Sequence, residues 1–261
     1  MLQRYCFIIW LKKNLINYEE IDDELFERFQ AGMKRYMAGE PIQYIKGKET
    51  FFSRDFIVNE NVLIPRYETE ELVENILYRI DDYFEDYENI DLCDVGTGSG
   101  AIAISLALEE KKLHVVATDI SEEALEVARE NAQNLGANVE FYQGDMVQPL
   151  LDRGVKVDIF VSNPPYIPQN QDIESVVKDN EPHVALFGGS DGLYFYRQIF
   201  ATVQPLLKER ALLAFEMGFD QREIMEEAVE HYFPNTPYEI IKDINGKDRM
   251  LFIYYHLKDE L

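Results

Sequence analysis

Short apolar runs alternate with helical patterns along the chain from residue 90 onward. The runs predict strands at residues 90–95, 115–118, 139–142, 157–162 and 211–216. Amphipathic patterns between them predict helices at residues 101–109, 122–135, 194–207 and 221–232. This alternation is typical of a parallel sheet covered by helices on both faces. Two last strands, at 239–243 and 249–255, flank the turn residues Asn245 and Gly246 and predict an antiparallel edge.

The pattern before residue 90 is different. An apolar stripe at helical spacing predicts a helix over residues 18–37, and it consists of Ile21, Leu25, Phe29 and Met33. Gly39 and Pro41 end that helix. Short β-prone pieces follow at 50–52, 55–58 and 62–64, and a second amphipathic helix is predicted at 69–83. We therefore predict a small N-terminal helical domain at 1–40, a β-hairpin linker at 41–68 and an α/β domain at 69–261.

Composition and charge narrow the possible functions. The chain has 261 residues, of which 46% are hydrophobic, so it has enough apolar material for a packed core and is not disordered. Its net charge of -24 disfavours direct binding to nucleic acid or to an anionic membrane. Cys6 and Cys93 are too few for a disulfide framework, which favours a cytoplasmic protein. The scattered histidines predict no metal site.

A glycine-rich loop follows the first predicted strand of the sheet. Residues 94–100 read Asp94, Val95, Gly96, Thr97, Gly98, Ser99 and Gly100. Glycines at this place let a ligand approach the backbone, and Asp119, at the end of the next strand, is suited to accept from a ribose diol. Ile120 follows it, while Asp145 and Met146 follow the third strand, where they could contact an adenine. The loop alone also fits a dinucleotide fingerprint or a tightly packed turn.

A second motif follows the strand at 157–162 and consists of Asn163, Pro164, Pro165 and Tyr166. The prolines stiffen the loop, and the Asn163 side-chain oxygen and the Pro164 carbonyl are both acceptors. Together they could take the two hydrogens of a planar amino group while Tyr166 stacks on its face. Such a clamp predicts methylation of an amide or an exocyclic aromatic amine, because it stabilises positive charge that develops on the nitrogen.

These two motifs resemble a class I S-adenosylmethionine-dependent amino-methyltransferase. Further blocks at 41–47, 63–70 and 181–193 resemble the HemK/PrmC family, which methylates the glutamine amide in the Gly-Gly-Gln loop of bacterial peptide-chain release factors. The resemblance implies a Rossmann-like fold with a mostly parallel seven-stranded sheet. It also implies S-adenosylmethionine at residues 94–100, Asp119, Ile120, Asp145, Met146 and Asn163, with the glutamine at residues 163–166. Tyr67 and Met217 stand where the family usually has proline and isoleucine.

Other readings remain open at this stage. An adenine-N6 methyltransferase acting on DNA or RNA would use the same clamp, but it needs clustered basic residues that this chain lacks. A dehydrogenase would explain the glycine loop and not the second motif, and a cofactor-binding scaffold would not need Asn163. Arg66 and Glu68 could contact the cofactor or form a salt-bridged linker. We expect a monomer whose partners are release factors, with no contact to a membrane.

Overall fold

The computed structural model describes residues 23–257. Within that range the helices are α1 (Asp23–Met37), α2 (Ile42–Lys46), α3 (Tyr67–Tyr83), α4 (Ala101–Glu109), α5 (Glu122–Leu135), α6 (Gln148–Leu151), α7 (Ser175–Asn180), α8 (Tyr194–Thr202) and α9 (Arg222–Tyr232). The strands are β1 (Lys48–Phe51), β2 (Arg54–Ile57), β3 (Ile90–Val95), β4 (Leu113–Asp119), β5 (Val139–Gln143), β6 (Val157–Ser162), β7 (Leu207–Glu216), β8 (Tyr238–Lys242) and β9 (Asp248–Tyr255).

The main sheet of the described residues has seven strands in the order β5, β4, β3, β6, β7, β9, β8. Strands β3 to β7 run parallel, and β9 and β8 add an antiparallel edge. The predicted α/β fold with its mostly parallel sheet is therefore confirmed. The chain order reverses at β3, which has β4 on one side and β6 on the other. The carboxyl ends of the strands beside such a reversal form a crevice where α/β proteins bind ligands.

Two apolar layers hold this crevice in place. One face of the sheet packs against α3 and α4, through residues such as Leu72, Ile76 and Ile104. The other face packs against α8 and α9, where Phe200 and Phe215 meet edge to face. Strand β6 is buried along its whole length, because helices cover both of its faces. The loop that follows β6 is therefore carried by one of the most deeply buried strands of the sheet.

The segment before α3 departs from its prediction in several places. Residues 18–22 of the predicted first helix lie outside the described residues, and α1 begins at Asp23. The hairpin of β1 and β2 is present, but the helix α2 before it was not predicted. Residues 62–64 are not a strand. They form no ladder because the Ile64 amide donates to the Glu181 carboxylate instead of to a neighbouring strand, and Pro65 has no amide hydrogen.

The hairpin packs onto the α/β core. Phe51 and Phe56 are buried in the same apolar layer as α3 and α4. The Asn131 side chain of α5 accepts from the Ile57 amide at 2.7 Å and donates to the Ile57 carbonyl at 3.0 Å. The Asn131 side-chain Nδ2 also donates to the Ser99 carbonyl in the glycine loop at 2.9 Å. Asn131 thus connects the hairpin to the crevice.

The boundaries between residues 194 and 216 also differ from prediction. The predicted helix at 194–207 ends at Thr202, because Pro205 interrupts the helical hydrogen bonds and a 3-10 turn follows at Gln204–Leu206. The predicted strand at 211–216 begins earlier, at Leu207, which pairs with Val157 of β6. The short helices α6 and α7 were also missed, because four to six residues are too few to show a helical period.

Candidate active site

The glycine loop connects β3 to α4 in a conformation that favours glycine. Gly96, Gly98 and Gly100 have φ angles of 76°, 55° and 82°, in the left-handed region. A Cβ at Gly100 would lie 2.7 Å from Ile104 and 3.3 Å from Ala128, so this glycine allows close packing of α4 on α5. A Cβ at Gly96 or Gly98 would meet nothing within 4 Å. The backbone at those two positions is therefore open toward the crevice.

Asp119, at the end of β4, holds the glycine loop in place. Its Oδ2 accepts from the Gly98 amide at 2.9 Å, and its Oδ1 accepts from the Ser121 amide at 3.0 Å. Burial raises the pKa of this carboxyl, while the backbone hydrogen bonds act in the opposite direction. Each carboxylate oxygen has a second lone pair, so Asp119 can still accept from a ligand.

Asp94, the last but one residue of β3, is completely buried below the loop. Its Oδ2 accepts from the Thr97 hydroxyl at 2.6 Å, whereas its Oδ1 has no hydrogen-bond partner among the described residues. Burial raises the pKa of Asp94 to about 7. An unpartnered buried carboxylate oxygen is costly, and a positively charged group placed beside it would remove that cost.

The loop after β5 is fixed by a contact to β4. Met146 has a φ angle of 47°, and its carbonyl accepts from the Thr118 hydroxyl at 3.0 Å. Asp145 beside it is exposed to solvent. This contact holds the loop that contains Asp145 and Met146 at the same edge of the sheet as the glycine loop and Asp119.

Most of the predicted cofactor residues line a cleft at this edge, which we call the first cleft. They are Gly96, Gly98, Asp119, Ile120, Asp145, Met146 and Asn163. Asp94, Thr97, Ser99 and Gly100 do not line it, since their side chains or backbone groups face the interior below the loop. Other residues line the cleft that were not predicted as cofactor contacts, and they come from segments far from the glycine loop in the chain, among them Asn61, Leu63, Ala185 and Phe195.

A second cavity adjoins the first cleft and shares Leu63, Asn163 and Ala185 with it. Pro164, Tyr166 and Glu216 belong to the second cavity alone, whereas Pro165 lines the first cleft. Asn163 therefore lies where the two spaces meet. The Asn163 side chain has its Nδ2 atom 3.4 Å from the Thr69 hydroxyl, and the Tyr166 hydroxyl donates to Glu216 at 3.2 Å.

A glycine-rich segment supports the backbone of the Asn163–Tyr166 loop. A Cβ at Gly188 would lie 2.4 Å from the Pro165 carbonyl oxygen, and one at Gly192 would lie 2.2 Å from the Tyr166 carbonyl oxygen. Gln221 donates to the Tyr166 carbonyl at 2.8 Å. Larger side chains in the segment would push the loop out of place, which explains why the sequence block at 181–193 accompanies the motif.

Arg66 lines the second cavity and forms an ion pair of 2.5 Å with Glu181. Glu181 is buried, and its other oxygen accepts from the Ile64 amide at 3.3 Å. The pair joins the segment before α3 to the segment after α7. Of the two roles left open for Arg66, the structure thus shows the salt-bridged linker. For Glu68 it shows no hydrogen bond or ion pair within residues 23–257.

The described part of the chain contains neither a cluster of metal ligands nor a membrane-spanning helix. Residues 23–257 contain no group of three histidine, cysteine, aspartate or glutamate side chains placed to hold a metal ion. None of the helices in that range is long and apolar enough to cross a membrane.

Comparison with known proteins defines the class to which this fold and cleft belong. A family model described as a methyltransferase domain matches residues 86–235. The Thermus thermophilus 16S rRNA methyltransferase RsmC, solved in complex with AdoMet and guanosine, shares the fold with a TM-score of 0.55 and 14% sequence identity. That match covers 80% of this chain and 50% of the other. The chain is a methyltransferase with the class I Rossmann-like fold.

Two curated relatives identify the family within this class. A Bacillus cereus protein named release factor glutamine methyltransferase is 49% identical over 90% of this chain and 83% of its own length. A Bacillus subtilis protein of the same name is 45% identical over 90% of this chain and 82% of its own length. The chain belongs to the release factor glutamine methyltransferase family, as the resemblance predicted.

Proposed function

We propose that this protein transfers a methyl group from S-adenosylmethionine to the side-chain amide nitrogen (N5) of the glutamine in the Gly-Gly-Gln motif of peptide-chain release factors. The observation that carries the proposal is the position of Asn163. It lies at the junction of a cleft under the glycine loop and a cavity lined by Pro164 and Tyr166. A methyl donor in the first space and an amide in the second would meet beside this side chain.

The first cleft suits a nucleoside, and a carboxylate below it favours one that carries a positive charge. Gly96 and Gly98 leave the backbone open, and Asp119 can accept from ribose hydroxyls. Asp94 does not line the cleft, but it is buried below the loop and its Oδ1 lacks a partner, so its charge would act on the ligand through the loop. When bound, S-adenosylmethionine supplies a methyl group activated by a sulfonium centre. We assign its binding to Asp94, Gly96, Thr97, Gly98, Ser99, Gly100, Asp119, Ile120, Asp145, Met146 and Asn163. In this set Thr97, Ser99 and Gly100 act by shaping the loop.

The second cavity suits a planar primary amide. The Asn163 side-chain oxygen and the Pro164 carbonyl can accept both of its hydrogens, and the Tyr166 ring can cover its face. Burial raises the pKa of the Tyr166 hydroxyl, so this group stays neutral and keeps its hydrogen. Two acceptors stabilise the positive charge that develops on the nitrogen as it attacks, and no strong base is needed. We assign substrate binding and catalysis to Asn163, Pro164, Pro165 and Tyr166.

The net charge of -24 favours this function over methylation of adenine in nucleic acid. An enzyme that acts on a base must hold a phosphate backbone, which requires clustered lysine and arginine. A release factor loop that enters ribosomal RNA needs positive charge instead, and an acidic enzyme would attract it. We further propose that the protein acts as a cytoplasmic monomer.

Mass spectrometry of the substrate tests the proposed function. The purified protein is incubated with S-adenosylmethionine and a bacterial release factor, and the peptide that contains the Gly-Gly-Gln motif is sequenced. We expect one added methyl group on the glutamine and none on a release factor whose motif glutamine is replaced by glutamate. Transfer to adenine in DNA or RNA, or no transfer to any release factor, would contradict the proposal.

A further inference from the structure

A chain of three side chains lies behind Asn163 and comes from three different elements. Thr69 is in the first turn of α3, Asn163 follows β6, and Glu216 ends β7. The Thr69 hydroxyl donates to Glu216 Oε2 at 2.6 Å, and Asn163 Nδ2 lies 3.4 Å from the same hydroxyl. Thr69 and Glu216 are buried, with 5% and 2% of their surfaces exposed. Burial therefore limits competition from water at the bond between Thr69 and Glu216.

The direction of hydrogen bonding along this chain follows from the chemistry of the groups. A carboxylate can only accept, and a hydroxyl has a single hydrogen to donate. Because Thr69 gives that hydrogen to Glu216, its oxygen can only accept from Asn163. The amino group of the Asn163 amide must then face Thr69. The reverse orientation would place two acceptor oxygens against each other, with no hydrogen between them.

The other oxygen of Glu216 strengthens this arrangement. Oε1 accepts from the Tyr166 hydroxyl at 3.2 Å, so both carboxylate oxygens have partners. Burial disfavours the charged form of Glu216, whereas the bonds from Thr69 and Tyr166 and the positive charge of Arg249 favour it. A proton on Oε1 would still leave Oε2 as an acceptor for Thr69. A proton on Oε2 would permit the reversed direction, so the ionised form, which Thr69, Tyr166 and Arg249 favour, is the one that fixes the direction.

We propose that Glu216, acting through Thr69, is a positioning residue that keeps the side-chain oxygen of Asn163 turned toward the two cavities. This inference rests on the proposed function, in which that oxygen accepts a hydrogen from the substrate amide. The oxygen has no partner among the described residues, so it is available to a substrate. An Asn163 amide turned the other way would present a donor to a donor and could not hold the substrate.

A matched pair of substitutions at Thr69 tests the proposal. Thr69→Ser keeps the hydroxyl, whereas Thr69→Val keeps the branched shape and loses it. We expect kcat on the release factor to stay within about 3-fold for Thr69→Ser and to fall at least about 10-fold for Thr69→Val, the size of one lost hydrogen bond. The dissociation constant for S-adenosylmethionine should not change in either variant, since Thr69 does not line the first cleft. Equal kcat values for the two variants would overturn the proposal.

A second substitution keeps the test valid if Thr69→Val does not fold. In Glu216→Gln one of the two acceptor atoms becomes a donor, which permits the reversed direction. We expect kcat to fall at least about 10-fold in this variant, with the melting temperature measured as a check on folding. The double variant Thr69→Val with Glu216→Gln should be no slower than the slower single variant within about 3-fold, because both changes break one relay.

The outcomes also separate this inference from the proposed function. If the parent protein does not methylate a release factor, both fail together. If the parent is active but the losses at Thr69 and Glu216 multiply in the double variant, the two residues act independently, and only the relay is wrong. Unchanged kcat in Glu216→Gln would likewise overturn the relay alone.

Discussion

Asp94 and Glu216 are two buried carboxylates at the carboxyl ends of β3 and β7, and they differ in how many of their oxygens accept hydrogen bonds. Both oxygens of Glu216 accept from neighbouring side chains, whereas one oxygen of Asp94 has no partner in the described part of the chain. The satisfied carboxylate holds other side chains in place. The unsatisfied one lies under the loop where we propose that a cationic ligand binds. In the proposed function, the first cleft is the cofactor half of the site and the second cavity is its amide half, and only the amide half has its buried carboxylate fully hydrogen-bonded.

The largest expected effect comes from removing the group at which the two halves meet. Asn163→Ala should lower kcat at least roughly 100-fold, by analogy with the loss of an oxyanion-hole donor. Affinity for S-adenosylmethionine, measured by calorimetry, should fall much less, because Asn163 is only one of the residues that line the first cleft. Asn138→Ala, at the amino end of β5 and exposed, is a matched control that should keep parental activity. A kcat within a few-fold of the parent would show that the amide half does not depend on Asn163.

The next effect concerns the cofactor half. Asp119→Ala should weaken binding of S-adenosylmethionine by about 1–3 kcal/mol, because the ribose hydroxyls lose their acceptor and the Gly98 amide loses its partner. Asp119→Asn keeps one acceptor oxygen and should lose less. Calorimetry with S-adenosylmethionine measures both variants. Equal affinities in all three proteins, or tight binding of a nicotinamide dinucleotide by the parent, would contradict the assignment.

The pH dependence of cofactor binding sharpens the contrast between the two carboxylates. Burial raises the pKa of Asp94 to about 7, so the group is largely protonated below that pH, and a cation would bind to its ionised form. Affinity for S-adenosylmethionine should therefore fall by up to about 10-fold between pH 7.5 and pH 6. Asp94→Asn should flatten this profile. A profile that is equally steep in that variant would show that another group controls it.

The sequence predicted more of the lining of the first cleft than of the support behind Asn163, and the reason is physical. Glycines at 96 and 98 and carboxylates at strand ends are local features, and a parallel sheet brings strand ends together by its topology. The support for Asn163 is not local. Thr69 and Glu216 are separated from it by 94 and 53 positions in the chain, and both resemble ordinary helix and strand residues. Only the packing of α3 against β7 places them behind Asn163.

The same contrast explains the errors in secondary structure. A helical period over 14 residues predicted the bounds of α5, and short continuous apolar runs predicted the bounds of the buried strands β3 and β6. The β-prone residues 62–64 predict a strand, but Val62 and Ile64 are buried by packing against Tyr44, Val58 and α5, and the Ile64 amide donates to Glu181 instead of to a neighbouring strand. The division into domains at 1–40, 41–68 and 69–261 stays a prediction.

A smaller effect is expected on stability. The folded-state pKa of Asp94 lies above the ordinary value of an aspartate, so the folded state holds its proton more tightly. Stability should therefore fall as the pH rises from about 4 to about 7, with the full cost present above 7. Asp94→Asn removes that cost and should raise the melting temperature at pH 8 by a few degrees, but less at pH 5.5. A variant that is less stable than the parent at pH 8 would show that the negative charge of Asp94 does not destabilise the folded state.

The smallest expected effect is the salt dependence of the reaction, which distinguishes the role of the exposed acidic surface from that of the buried carboxylates. Buried charges are screened little by dissolved ions, whereas attraction between exposed charges weakens beyond a Debye length of about 8 Å at physiological ionic strength. With a net charge of -24, the enzyme should associate with a basic release factor more slowly as salt rises. We expect kcat/KM for the release factor to fall several-fold between 50 mM and 300 mM salt, values of roughly a third and twice that ionic strength. The kcat and the KM for S-adenosylmethionine should change less than about 2-fold, because Asp94 and Glu216 act from inside the fold.

A short Gly-Gly-Gln peptide, which lacks the basic surface, should be a poor substrate with little salt dependence. If the peptide is methylated as efficiently as the whole factor, surface charge plays no part in substrate choice, and recognition rests on the cleft alone.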